Sequence, residues 1–110
     1  MAKVDVIAFI DSAGNPRVWP PVARLKKNED IEVTNFTGED VLVSFPGNRF
    51  DDGAGNLDPN KSHNTLAHKA AKAKKVHANA TPGSAAYQVL LLNSKRYAQG
   101  NSDPEIIIEN

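Results

Sequence analysis

Apolar and polar positions alternate in short bursts along this chain, and clusters of glycine, proline, asparagine and aspartate separate the bursts. A period of two marks a strand with one buried face. Residues 4–10, rich in β-branched and aromatic types, form the first predicted strand. A turn over 11–16 follows, where Gly14 permits positive φ and Pro16 fixes its own. The next extended run, 17–26, contains Trp19-Pro20-Pro21 and cannot be a central strand, because two prolines remove two ladder donors. An edge strand, a bulge or a crossover between sheets fits it. After a polar turn at 27–30, Ile31 and Val33 share a face with Asn35, and Phe36 needs a bulge or a strand end to join them. A tight turn at 37–40 leads to Val41, Val43 and Phe45 in the next strand, and the two runs read together as a hairpin.

Residues 46–60 form a long loop dense in Gly, Asn, Asp and Pro, of a kind that is often functional. The stretch 62–80 carries two periods at once. Leu66, Ala70, Ala73, His77 and Ala80 recur at helical spacing, whereas Lys74, Val76, Ala78 and Ala80 alternate. Without an N-cap box, the reading is a short strand at 64–67, a turn or one short helix within 62–75, and a strand at 72–80. A turn at 81–84, a central strand at 86–92, a polar loop at 93–103 and a final strand at 105–109 complete the chain. The expected fold is all-β: a single domain over 1–110, built as an antiparallel sandwich of seven or eight strands.

The length of 110 residues agrees with one domain, and 40% hydrophobic with 24% charged residues excludes wholesale disorder. No apolar run approaches the about 18–20 residues of a membrane-spanning helix, so no membrane partner is expected. The first residues hold no apolar signal region, which makes a cytoplasmic location the default expectation. The chain has no cysteine, and therefore no disulfide, thiolate nucleophile or iron–sulfur site. The formal charge of zero hides an uneven distribution. Residues 59–102 contain seven bases and no acid, and the remainder holds 13 acids and 6 bases.

The string Ala80-Thr-Pro-Gly-Ser-Ala-Ala-Tyr87-Gln-Val, with the polar loop and Ile-rich strand after it, resembles the C-terminal half of cupredoxins. The first half agrees in layout: a leading strand, a proline-containing second one, then 30–36 and 41–45 around a turn. The resemblance implies a Greek-key sandwich and a type 1 copper site of two histidines, a cysteine and usually a methionine. It would place the cysteine near Leu91, the histidines around residues 39–41 and near Ser94, and the methionine near Asn101. None of these positions carries such a ligand. A blue-copper centre depends on its copper–thiolate bond, so electron transfer by that route is excluded. The resemblance then implies a scaffold and no activity.

Other candidate chemistry lies in the histidines, the aspartates and the lysines. His63, His68 and His77 supply imidazoles suited to Cu or Zn, but their neighbours are lysines and no acid lies close in sequence. Asp51, Asp52 and Asp58 sit among glycines and could ligate Ca, although the string lacks the EF-hand spacing and reads more simply as Asx turns. The lysines at 69–75, including Lys72, Lys74 and Lys75, lack interleaved aromatics, which argues for a solvated or edge-guarding face over nucleic acid. Ser62-His63 has no supporting triad element. Trp19 beside its prolines, with Phe50 and Tyr97 on predicted loops, are the candidate anchors for a protein partner, together with Lys72, Lys74 and Lys75. The expectation is a non-catalytic, copper-free binding or structural module without a cofactor, self-associating or docking on a protein. The alternative is a metal-binding protein using the histidines or the aspartate loop.

Overall fold

In the computed structural model, residues 3–99 and 103–109 are described. Eleven strands and no helix occur among them. They are β1 Lys3–Ile10, β2 Pro16–Trp19, β3 Val22–Leu25, β4 Asp30–Phe36, β5 Val41–Phe45, β6 Ser62–Leu66, β7 Ala71–Lys75, β8 Gly83–Ala86, β9 Gln88–Leu91, β10 Arg96–Tyr97 and β11 Glu105–Ile108. The first sheet has the order β2-β1-β4-β7. The other two ladders, β10-β9-β5-β6 and β3-β11-β8, share the line of chain 83–91, which is interrupted only at Tyr87. They stack end to end as the second layer. Tyr87 N–H donates to the Pro104 carbonyl at 3.0 Å across that interruption.

The alternation predicts the inward positions correctly. Val6, Ala8, Ile31 and Val33 from the first sheet, and Val41, Val43, Phe45, Val89, Leu91, Ile106 and Ile108 from the second, form one buried core. Trp19-Pro20-Pro21 is the crossover: β2 ends at Trp19 in the first sheet and β3 begins at Val22 in the second. The proline pair lies where no ladder needs their missing N–H groups.

Several expectations are corrected. The strand count exceeds seven or eight because Pro20-Pro21 divides one run, β8 forms at 83–86 where a turn was expected at 81–84, and a two-residue strand, β10, sits inside the predicted loop at 93–103. The sandwich is not purely antiparallel, since β1 runs parallel to β4 and β3 parallel to β11. Strands β4 and β5 are not a hairpin. β4 pairs with β1 and β7, and β5 pairs with β6 and β9, so the turn at 37–40 carries the chain from one sheet to the other. Gly38, at φ 88°, takes the left-handed conformation that this reversal needs. Phe36 uses no bulge to reach the core and instead projects outward, 46% exposed. The stretch 62–80 resolves in favour of strands, with no short helix. Gly83, expected in a turn, opens β8.

Part of the acid-free stretch lies beside acidic residues in space. Strand β7, from the acid-free stretch, lies beside β4 with Lys75 opposite Asp30, and Lys72, Lys74 and Lys75 border the same concavity as Asp51 and Asp52.

Candidate functional site

Four turns gather at one end of the sandwich: 11–15, 37–40, 67–70 and 92–95. This is where the cupredoxin resemblance would place copper ligands. Side-chain to backbone hydrogen bonds tie the turns to one another. The Glu39 carboxylate accepts from the backbone N–H groups of Asn93 and Ser94, both at 2.8 Å. Those amides, led by Ser94, hold the Glu39 carboxyl below the ordinary glutamate range. The Arg96 guanidinium donates to the Gly14 carbonyl at 2.9 Å, and the Gly38 N–H donates to His68 Nδ1 at 3.0 Å.

Asn35 is the hub of this end. Its side chain is fully buried, donates to the carbonyls of Glu39 (2.7 Å) and Leu66 (3.0 Å), and accepts from the Thr37 N–H and hydroxyl. Every hydrogen-bonding valence of the amide that packing closes off from water is thereby used. Along the sequence Asn35 stands in phase with the core positions Ile31 and Val33. A polar residue in the apolar phase of a strand was the available signal.

These residues do not fit copper. Leu91 is a fully buried aliphatic side chain at the thiolate position, and Glu39, in the region of the first histidine, has its carboxylate engaged by two amides. Ser94 supplies no imidazole, and Asn101 lies outside the described residues. The turns that a metal would bridge are bridged by a carboxylate.

The three histidines are dispersed. His63 Nδ1 lies 2.8 Å from Ser44 Oγ on the outer face of the second sheet. His68 is engaged by Gly38. His77 Nδ1 accepts from the Asn79 N–H, which leaves Nε2 as the donor to the Gly55 carbonyl at 3.1 Å. Among the described residues no group of three His, Asp or Glu side chains could hold a metal ion. Among the described residues no carboxylate hydrogen-bonds to the Ser44–His63 pair, so it falls short of the arrangement that activates a serine. Ser62, its neighbour in sequence, accepts instead from Asn64.

The aspartate loop folds as Asx turns. Asp52 Oδ1 accepts from the N–H groups of Ala54 (2.7 Å) and Asn56 (3.2 Å), and Asp58 Oδ1 from Asn60 (2.9 Å). The Ala54 N–H is the main cause of the lowered Asp52 pKa. Asp51 lies 3.9 Å from His77 Nε2. The carboxylates serve separate turns and do not converge on one cation.

The candidate partner residues also separate. Phe50 is no exposed anchor: it is 2% exposed, meets Phe45 edge-on at 5.4 Å and bridges to Val76. Lys72 and Lys74 stand opposite Val33 and Ile31, on the core side of edge strand β7. Partial burial, with Lys72 adding to it, lowers the Lys74 proton affinity. Inward lysines of this kind block further strand addition at an edge. Tyr97 pairs with Leu90 on the outer face of the second sheet, and Trp19 stands on the opposite outer face, beside Ile7.

That first-sheet face is the main exposed apolar feature. Register places Trp19, Ile7, Thr34 and Ala71 side by side across all four strands. The next row holds Arg17, Phe9 and Phe36. Trp19 is 64% exposed, and Phe9 is half-buried beside Phe36. Beyond them lie a row of Asp5, Glu32 and Ala73 and a row of Lys3, Asp30 and Lys75. The Lys3 ammonium joins Glu32 at 3.1 Å and Asp5 at 3.4 Å.

No protein-family model matches the chain, and no curated protein matches it in sequence. Solved structures do. A Cu(I) form of a mutant amicyanin is similar with a TM-score of 0.58 at 13% identity, over 97% of this chain and 82% of that one. The reduced Cu(I) form, at pH 4, of another amicyanin mutant gives 0.58 at 12%, over 99% and 84%. A purple cupredoxin from Nitrosopumilus maritimus gives 0.55 at 12%, over 96% and 99%. The fold is cupredoxin-like, and identities this low carry the fold alone.

Proposed function

We propose that this chain is a non-catalytic, copper-free protein-binding module, and that it binds through the outer face of its first sheet. One observation carries the reading: Trp19, Ile7, Phe9 and Phe36 stand in two adjacent rows of the same ladder, pointing away from the core. Large contiguous apolar patches on soluble domains mark interaction sites, and tryptophan is enriched among the residues that anchor such interfaces. The charged rows beside the patch supply the polar rim that protein interfaces have. The partner this chemistry recognises is a protein with a flat apolar surface bordered by charges of both signs.

The carboxylates support the non-catalytic reading. Glu39, Asp52 and Asp58 accept backbone N–H groups, and a group used in that way is a poor proton shuttle. The test is photo-crosslinking from benzoylphenylalanine placed at position 19, 36 or 65 in cells that make the protein. Discrete adducts from 19 and 36, and none from 65 on the opposite face, are expected. Equal labelling from all three positions, or none, would sink the reading.

A further inference from the structure

We infer that the occupant of this face is a second copy of the chain, docked face to face about a two-fold axis parallel to the strands. The inference rests on the binding face proposed above and adds to it the partner and the geometry.

The face is asymmetric across its width. Its β2 edge presents the bulky Trp19, and its β7 edge presents only Ala71 and Ala73 on the same side. A two-fold axis along the strands lays β2 of one copy over β7 of the other. Trp19 then lies above the partner copy's alanine edge, and Ile7 above its Thr34. Phe9 lies above the partner copy's Phe36. Large residues face small ones at both edges, and the arrangement closes on itself because each contact occurs twice. A two-fold perpendicular to the strands would instead set the apolar rows on the charged ones.

Charge permits the same pairing. The face carries Lys3, Arg17 and Lys75 against Asp5, Asp30 and Glu32, so two identical faces meet without net repulsion. The parallel axis sets Lys3 above the partner copy's Asp30. Asp5 meets the partner copy's Glu32, a like-charge contact, and the Lys3 ammonium already held by both carboxylates screens it. The natural twist of packed sheets, about 30°, splays these charged ends toward solvent.

The size of the face sets the strength. Four strands about 4.8 Å apart, over about seven residues at about 3.3 Å each, span about 19 by 23 Å. That plan area falls short of the about 800 Å² per partner of a standard interface, so the dimer belongs with weak, reversible associations, with a dissociation constant on the order of 100 µM.

Trp19 is the only tryptophan in the chain, and its emission therefore reports the contact directly. The experiment is sedimentation velocity and tryptophan emission from about 5 µM to about 1 mM, bracketing that constant. Wild type should move from monomer to dimer as its emission shifts to shorter wavelength over the same range. The double variant Ala71→Arg/Ala73→Arg, altered only at exposed edge positions, should stay monomeric with a constant emission and an unchanged circular dichroism spectrum. Thr65→Arg, on the other sheet, should dimerise as wild type does. A wild-type chain that stays monomeric throughout, or a dimer that survives Ala71→Arg/Ala73→Arg, overturns the second copy as occupant. Either result leaves the binding face itself to be decided by the crosslinks from positions 19 and 36.

Discussion

Replacing Tyr87 by phenylalanine should stabilise the protein. Tyr87 is 1% exposed and its ring stacks on Phe45 with centroids 6.0 Å apart and planes 15° from parallel. The hydroxyl is buried and makes no hydrogen bond among the described residues. A buried polar group without a partner costs about 1–3 kcal/mol, because it gives up water and gains nothing. Phenylalanine keeps the ring and its stacking, worth about 0.5–1.5 kcal/mol, and removes the stranded oxygen. The expected gain at pH 7 is about 1 kcal/mol. With a urea m-value of about 1–2 kcal/mol/M, that raises the unfolding midpoint by about 0.5–1 M at constant m.

The pH dependence sharpens the test. Burial raises the Tyr87 phenol above its ordinary value. The unfolded chain therefore ionises first, at about pH 10, and the folded chain holds its proton longer. Stability is unaffected below that pH and falls above it, by up to about 1.4 kcal/mol per pH unit. Tyr87→Phe lacks this loss, so its advantage should widen between about pH 10 and 11.5, as followed by urea midpoints. A variant destabilised by about 1 kcal/mol or more at neutral pH would falsify the reasoning, since the hydroxyl would then be making a bond that packing depends on.

Glu39→Gln should weaken the end of the sandwich and flatten the acid limb of its stability. The Glu39 carboxyl is held below its unfolded value by the Ser94 and Asn93 N–H groups. Its contribution is present above the ordinary glutamate range and is lost as pH falls through the lower folded value; an unchanged acid limb in urea midpoints from pH 7 to pH 3 contradicts this. Asn35→Ala should cost about 3 kcal/mol in urea unfolding, since it removes the four hydrogen bonds of a fully buried amide, including those to the buried Leu66 carbonyl and the Thr37 N–H. A cost under about 0.5 kcal/mol would show that water replaces the amide.

Strand positions and their inward residues were legible locally, because a period of two needs only neighbours in sequence. Val41, Val43 and Phe45 alternate whichever strand they pair with. Pairing was not legible. Strands β4 and β5 flank a tight turn and resemble a hairpin, yet a tight turn serves equally to cross between sheets. The choice fell to β1, β7, β6 and β9, whose edges are distant in sequence. The burial of Phe50 was not legible for a related reason: its loop has turn composition, and only the meeting with Val76 and Phe45 closes it off from water.

The lack of cysteine alone settled that no thiolate-bound copper exists here, since no arrangement in space supplies a missing atom. The sequence by itself also determined a chain of short strands around one core. Only the tertiary structure decided that Glu39 and two amides join the turns where the cupredoxin resemblance would place copper ligands, because that bond spans 54 residues. It alone decided the exposed apolar face as well. Trp19, Ile7, Phe9 and Phe36 are four unremarkable outward positions in the sequence, and they become one surface because β1 pairs with β2 on one side and β4 on the other.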